Sequence, residues 1–327
     1  MSYRNILIIR NDRMGDLLMS LPAVHEIRRS YPKAEVLLLL REELIPLLRD
    51  HPDIDRLIPF PHHSGSGWIQ ILRWAPKLRC LKADAAVILN PTRLFHVAAF
   101  LAAIPIRVGY RRKCGFLLTR SMSDSKASRR LHETQFNLEL VRLLGTRPVP
   151  CELRLPANSH RLIEADRLLQ QHGLFRPGLP PPIAVHPWTS DPAKNWPLDA
   201  FFELLRSLAG SQGPFLILGG TEEVVQMDSW KSRIGPLAAD LVGQVPLALL
   251  PALLRRCSLL ISNDSGPVHV AAAVGTPTLV VAPRQHGEKL ERWRPLGEGH
   301  RVLIAPSPEQ VAEATLEMLR HHEDSPR

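Results

Sequence analysis

Short apolar runs alternating with amphipathic stretches constrain this chain more than any other feature of its sequence. A run of four or five aliphatic residues, bounded by small or polar ones, is too short for a buried helix and reads as a strand covered on both faces. Such runs predict strands over residues 6–10, 36–40, 85–89 and 106–109, then over 183–186, 215–218, 259–262 and 278–281. Between them apolar residues recur at helical spacing. Leu17, Leu21, Val24 and Ile27 come first, with Pro22 predicting a kink or an irregular first turn, and further helices are expected over 93–103 and 131–144. In the second half helices are expected over 159–172, 198–208, 222–234, 247–257, 266–274 and 311–319. This alternation predicts an α/β protein with doubly wound parallel sheets. Residues 145–157 carry three prolines and little periodicity and read as a linker, so the 327 residues divide into Rossmann-like domains over 1–150 and 151–327.

The charge is less even than the pattern. Lys and Arg number 41 against 32 Asp and Glu, a net +9, and residues 107–130 hold eight basic side chains and one acid, Asp124. That segment suits phosphates on nucleic acid, on anionic lipid or on a phosphorylated glycan; a solvated loop is the plainer alternative. A sequence pI of about 9.8 raises nucleic-acid binding, but basic and aromatic residues do not interleave, and no nucleic-acid partner is expected. Four cysteines stand far apart without CxxC spacing, which argues for buried or incidental thiols, a reducing compartment and no metal site. The apolar stretches at 6–9 and 97–106 are too short for a signal core or a membrane span, so a cytoplasmic protein is expected.

In open α/β sheets ligands bind beyond the carboxyl ends of the strands, and four loops at such ends carry polar chemistry. The first, Arg10 to Leu18, has one glycine and two carboxylates, Asp12 and Asp16; Asp16 reads either as a helix cap or as a general base for an acceptor hydroxyl. The second follows residues 183–186 and offers Thr189, Ser190 and Lys194 to a diphosphate, or is a surface turn with an incidental lysine. The third, Gly219-Gly220-Thr221-Glu222-Glu223, lets a ligand approach the backbone and places a carboxylate near ribose hydroxyls, although it is equally an ordinary helix start. The fourth, Ser262 to Pro277, opens a helix with Asp264, Ser265 and Gly266 and carries His269 one turn in. Its first amides form an anion site, with a capped structural helix as the alternative.

Taken in order, the Met-Gly-Asp-Leu-Leu start, the Lys-Asn-Trp-Pro loop, the Gly-Gly-Thr-Glu-Glu turn and the Asn-Asp-Ser-Gly-Pro-Val-His-Val-Ala-Ala-Ala helix resemble glycosyltransferase family nine, the bacterial heptosyltransferases. The resemblance implies the GT-B fold, two Rossmann-like domains facing a central cleft, with the acceptor on the first and the nucleotide-sugar donor on the second. It implies an inverting, metal-independent transfer of heptose from ADP-heptose to the lipopolysaccharide inner core, without a cofactor. It assigns Asp16 as catalytic base, Lys194 to the donor phosphates, Glu222 to the ribose, and Asp264, Ser265, Gly266 and His269 to the diphosphate and sugar. Acceptor recognition then falls to residues 61–68 and to Arg107, Arg111, Arg112, Lys113 and Arg120 in the basic segment, with peripheral contact at the inner membrane face. Trp188 departs from the family, which has a small residue there, and its bulk is expected to alter the donor pocket. The competing readings are a transferase or epimerase for another nucleotide sugar and a non-catalytic nucleotide- or glycan-binding protein on the same scaffold.

Overall fold

The computed structural model describes residues 2–61, 67–126, 128–156, 158–235 and 237–323. Two compact units, Met1–Leu153 and Arg154–Arg327, each hold one six-stranded sheet. In the first unit the strands are β1 Asn5–Ile9, β2 Glu35–Arg41, β3 Arg56–Phe60, β4 Ala85–Ile88, β5 Ile106–Tyr110 and β6 Arg120–Met122, in spatial order 3-2-1-4-5-6. The second has β7 Ile183–His186, β8 Phe215–Ile217, β9 Ala238–Asp240, β10 Leu259–Asn263, β11 Thr278–Ala282 and β12 His300–Ile304, in order 12-11-10-7-8-9. Every pairing between these strands is parallel. The wiring is the same in both units. The chain winds outward from the unit's first strand, then crosses back to its fourth, which leaves a crevice at the carboxyl edge between β1 and β4 and another between β7 and β10.

The central strands are the ones with continuous apolar runs, and they are buried along their length. The edge strands β3, β6, β9 and β12 escaped the sequence reading because they are short, polar or interrupted: β3 contains Pro59, and β12 begins His-Arg. The helix Trp68–Cys80 was missed for a similar reason, since Pro76 breaks its pattern. The expected helix through Leu17 and Ile27 is two helices, Met14–Leu18 and Leu21–Ser30. Pro22 lies in the first turn of the second, where its missing donor costs nothing, so it starts a helix rather than kinking one. The expected helix over 247–257 shortens to Leu250–Arg255, and the terminal one extends over Pro308–Glu323. Among the described residues no two cysteines are joined in a disulfide; Cys257 is buried, whereas Cys80 and Cys151 are exposed. No helix among the described residues is long and apolar enough to cross a membrane.

On one face of the first sheet Phe60, Trp74 and Phe95 meet edge-on or tilted, with ring centroids 5.2 to 6.1 Å apart. Phe95 is fully buried at the centre of that cluster. Phe95→Ala should therefore destabilise this unit by about 3–5 kcal/mol, read as a lower denaturation midpoint.

Candidate active site

The crevice of the first unit is organised by a side chain that the sequence reading passed over. Arg10 follows β1, and its guanidinium is buried, with 2 % of the side chain exposed. Its Nε lies 2.8 Å from Asp12 Oδ1, and its Nη2 lies 3.0 Å from Asp16 Oδ1 and 3.3 Å from Glu133 Oε1. Its Nη1 donates to the Leu89 carbonyl, just beyond β4, and to Asn137 Oδ1, both at 3.4 Å. Arg10 thus spans the crevice between the two strands. Burial alone would weaken its charge, but the carboxylates of Asp12, Asp16 and Glu133 outweigh it and hold the guanidinium protonated. Glu133 is itself buried and accepts a second cation, Lys126, at 2.7 Å.

Asp16 is the third residue of Met14–Leu18, and the cap position belongs to Arg13, whose side chain makes no capping bond. The capping alternative for Asp16 is therefore not realised. Its carboxylate is oriented by Arg10 instead, with 26 % of the side chain exposed, while Leu17 and Leu18 anchor the helix beneath it. A carboxylate held on one side and open to solvent on another is suited to receive a proton from a bound hydroxyl.

The second unit gathers its groups in the crevice between β7 and β10. Lys194 Nζ lies 3.4 Å from Asp264 Oδ2, and His286 Nε2 lies 2.8 Å from the same oxygen. Asp264 follows β10, Lys194 ends a short turn after β7, and His286 follows β11, so three strand ends contribute. His286 was not singled out from sequence; its signal is its place shortly beyond a strand. Next to this cluster the helix Gly266–Val274 starts at Ser265, whose side chain does not cap it. Ser265 Oγ is instead 3.0 Å from Ser262 Oγ and 3.2 Å from His186 Nδ1. Burial pushes His186 down to about 4, so it is neutral near pH 7. An uncapped helix start beside a lysine is suited to hold an anion. His269 is buried in this helix.

The loop after β7 is tied at both ends by one buried residue, Asn263, which stands in the fourth motif but drew no role from sequence. Asn263 accepts from the Trp196 amide at 2.8 Å and donates to the Pro187 carbonyl. Thr189 and Asp191 close a turn between these ends: Thr189 Oγ1 donates to the Asp191 carbonyl at 2.6 Å, and Asp191 accepts from Ala193 at 3.1 Å. Thr189 and Ser190 thus lie on this turn, Ser190 in solvent. Trp188 is buried in the core against Trp230, and its ring lies under Gly219, where a Cβ would come within 3.0 Å of it. Its bulk is taken up by the core and by the absence of a side chain at Gly219, in the turn after β8. In the turn after β8 the two glutamates divide the work. Glu223 accepts from the Gly220 amide at 2.7 Å and closes the turn, whereas Glu222 is exposed.

The basic segment is partly committed to the fold. Arg107 donates to the carbonyls of Ile104 and Leu117, Arg120 donates to the Leu143 carbonyl at 2.7 Å, and Arg112 pairs with Asp124. Arg111 and Lys113 are exposed, Lys113 with φ +47°. Of the expected acceptor segment 61–68, residues 62–66 lie outside the described residues. Among the described residues no three His, Cys, Asp or Glu side chains are grouped to hold a metal ion.

Asp12 gives a pH test of this arrangement. Burial pushes its carboxyl up to about 6, with the nearby Asp16 adding to the rise and Arg10 opposing it. Its folded value exceeds its unfolded one, so it stabilises the fold at low pH, and that contribution disappears as pH rises through about 6. Thermal melts of wild type and Asp12→Asn between pH 4 and 7 should diverge, the wild type losing up to about 3 kcal/mol relative to the variant. Asn263→Ala strips two buried partners from the loop after β7 and should cost about 1–3 kcal/mol in a denaturant titration.

Residues 71–318 match the family described as "Glycosyltransferase family 9 (heptosyltransferase)". The lipooligosaccharide heptosyltransferase 2 of Haemophilus ducreyi is 24 % identical over 290 residues, covering 85 % of this chain and 82 % of that protein. Among solved structures, the family 9 glycosyltransferase of Veillonella parvula superposes with a TM-score of 0.84 at 20 % identity, covering 98 % of each chain. The Escherichia coli ADP-heptose lipopolysaccharide heptosyltransferase II superposes with a TM-score of 0.80 at 21 % identity, covering 98 % of this chain and 99 % of that one. These likenesses show the GT-B fold.

Proposed function

The chain belongs to glycosyltransferase family 9 and is a glycosyltransferase, and from that premise we propose that it moves heptose from ADP-heptose to the lipopolysaccharide inner core. The likeness to a lipooligosaccharide heptosyltransferase and to an ADP-heptose lipopolysaccharide heptosyltransferase supports this donor and acceptor. The reading places the acceptor on the first unit and the donor on the second. The enzyme then works in the cytoplasm, at the inner face of the membrane that carries the acceptor.

The observation that carries the chemistry is Asp16, one oxygen 3.0 Å from buried Arg10 and the side chain partly open to solvent. In the proposed reaction Asp16 takes the proton of the acceptor hydroxyl as that oxygen attacks the anomeric carbon. The bond from that carbon to the diphosphate oxygen breaks, ADP leaves, and the anomeric configuration inverts. Lys194 and the amides of Ser265 and Gly266 hold the diphosphate as it takes up negative charge. Asp264, engaged by both Lys194 and His286, sets the position of the lysine. Thr189 and Ser190 meet the phosphates, Glu222 the ribose and His269 the sugar, while Arg111 and Lys113 are the basic side chains best placed for acceptor phosphates. No metal and no cofactor take part in this scheme.

ADP release from ADP-heptose, with and without a heptose-deficient lipopolysaccharide acceptor, tests the reading in the presence of EDTA. Release should require acceptor and survive EDTA. Asp16→Ala should lower kcat by about 10²–10⁴-fold while ADP still binds. Turnover of UDP- or GDP-sugars in place of ADP-heptose would overturn the donor assignment, and loss of activity in EDTA would overturn metal independence.

A further inference from the structure

Residues 61–123 contain ten basic side chains and a single acid, Asp84. That acid is already spent, since its carboxylate accepts from the amides of Arg4 and Asn5. Within this stretch the helix Trp68–Cys80 packs along the helix Arg93–Leu101, which in turn packs against the short turn Gly115–Leu117. Side-chain contacts continue the surface across these elements: Arg79 donates to the Leu101 carbonyl at 3.2 Å, and Arg107 lies over the Phe100 ring while donating to the Leu117 carbonyl.

These three elements total 25 residues, yet they carry six of the eleven large apolar side chains that are exposed among the described residues. They are Trp68, Ile69, Leu72, Phe100, Leu101 and Phe116; Ile69 is 73 % exposed and Phe116 83 %. The helix Trp68–Cys80 shows how the surface is built. Its inner face buries Ile71, Trp74 and Leu78, its outer face is apolar at the amino end, and Arg73, Lys77 and Arg79 follow, exposed, with no acid on the helix. Exposed aliphatic tips cost free energy in water, and the neighbouring cations, with no acid on their helix, do nothing to offset it. An anionic lipid surface satisfies both, because it offers phosphates at the level of the cations and an apolar layer just beneath. A nucleic acid would answer the arginines but give Ile69 and Leu72 nothing to contact, and a second copy of this strongly basic face would repel it.

We propose that the face formed by Trp68–Cys80, Arg93–Leu101 and Gly115–Leu117 docks the enzyme on an anionic lipid bilayer, with Ile69, Leu72 and Phe116 entering the headgroup boundary and Arg73 and Lys77 against lipid phosphates. It deepens the proposed function, resting on that reading for its purpose, which is to bring the enzyme to a membrane-borne acceptor. Docking itself requires neither donor nor acceptor, so the test is independent of transfer.

Full-length protein is sedimented with vesicles of phosphatidylcholine alone and of phosphatidylcholine mixed with phosphatidylglycerol. Binding should be confined largely to the mixed vesicles and should weaken as salt is raised. The double variant Ile69→Ser/Leu72→Ser should lower the partition coefficient about ten-fold or more, and Arg73→Glu/Lys77→Glu should do the same. Both pairs face solvent, so melting temperatures should match the wild type. No binding to mixed vesicles would overturn the proposal, as would equal binding by wild type and both variants. A dimer in light scattering that Ile69→Ser/Leu72→Ser dissociates would overturn it in favour of a self-association surface.

Discussion

A parallel sheet delivers the carboxyl ends of all its strands to one edge, and everything chemical in this protein depends on that geometry. In each unit the winding reverses between the first strand and the fourth, so no crossover helix covers the crevice between those two ends. Arg10 occupies the crevice between β1 and β4, and the Lys194–Asp264–His286 cluster occupies the one between β7 and β10. The same backbone wiring is therefore used twice with opposite electrostatics. The first crevice is built around a buried cation that gathers carboxylates, and the second around a carboxylate that gathers a lysine and a histidine beside a helix start.

Burying charge is costly unless each charge has partners, and the first crevice follows that rule closely. Arg10 is surrounded by Asp12, Asp16 and Glu133, and Glu133 is shared with Lys126. Asp16 is the most solvent-exposed of the three carboxylates, with 26 % of its side chain exposed, whereas Glu133 is deeply buried. Lys126 belongs to the basic segment, which thereby acts on the fold as well as on its surroundings. Arg107, Arg112 and Arg120 behave alike, spending their charge on carbonyls and on Asp124, so a run of basic residues in sequence is a smaller patch in space. The loop after β7 depends on a different economy, in which the single amide of Asn263 fixes both its ends.

The central strands, the two-unit division, the helix after β10 and the loops after β1, β7, β8 and β10 were legible in sequence, because burial on both faces writes an uninterrupted apolar run and helix starts need small or polar residues. The apolar run sets β1 and β10 but says nothing of Arg10, which looks like an ordinary charged residue at a strand end until Asp12, Asp16 and Glu133, the last 123 residues away, close around it. The roles of His286 and Asn263 are hidden for the same reason: their partners lie 22 to 76 residues off. That Trp188 belongs to the core is decided by its packing against Trp230 beneath Gly219. The edge strands and the helix Trp68–Cys80 fell below detection because half-exposed or proline-broken elements lack a clean period. Local patterning by itself determined the elements and the order of their loops, since those depend on near neighbours along the chain. Which charges face one another, and so which carboxylate is oriented and which lysine is placed, was decided only by tertiary structure, because Coulomb and hydrogen-bond partners are selected by distance in space.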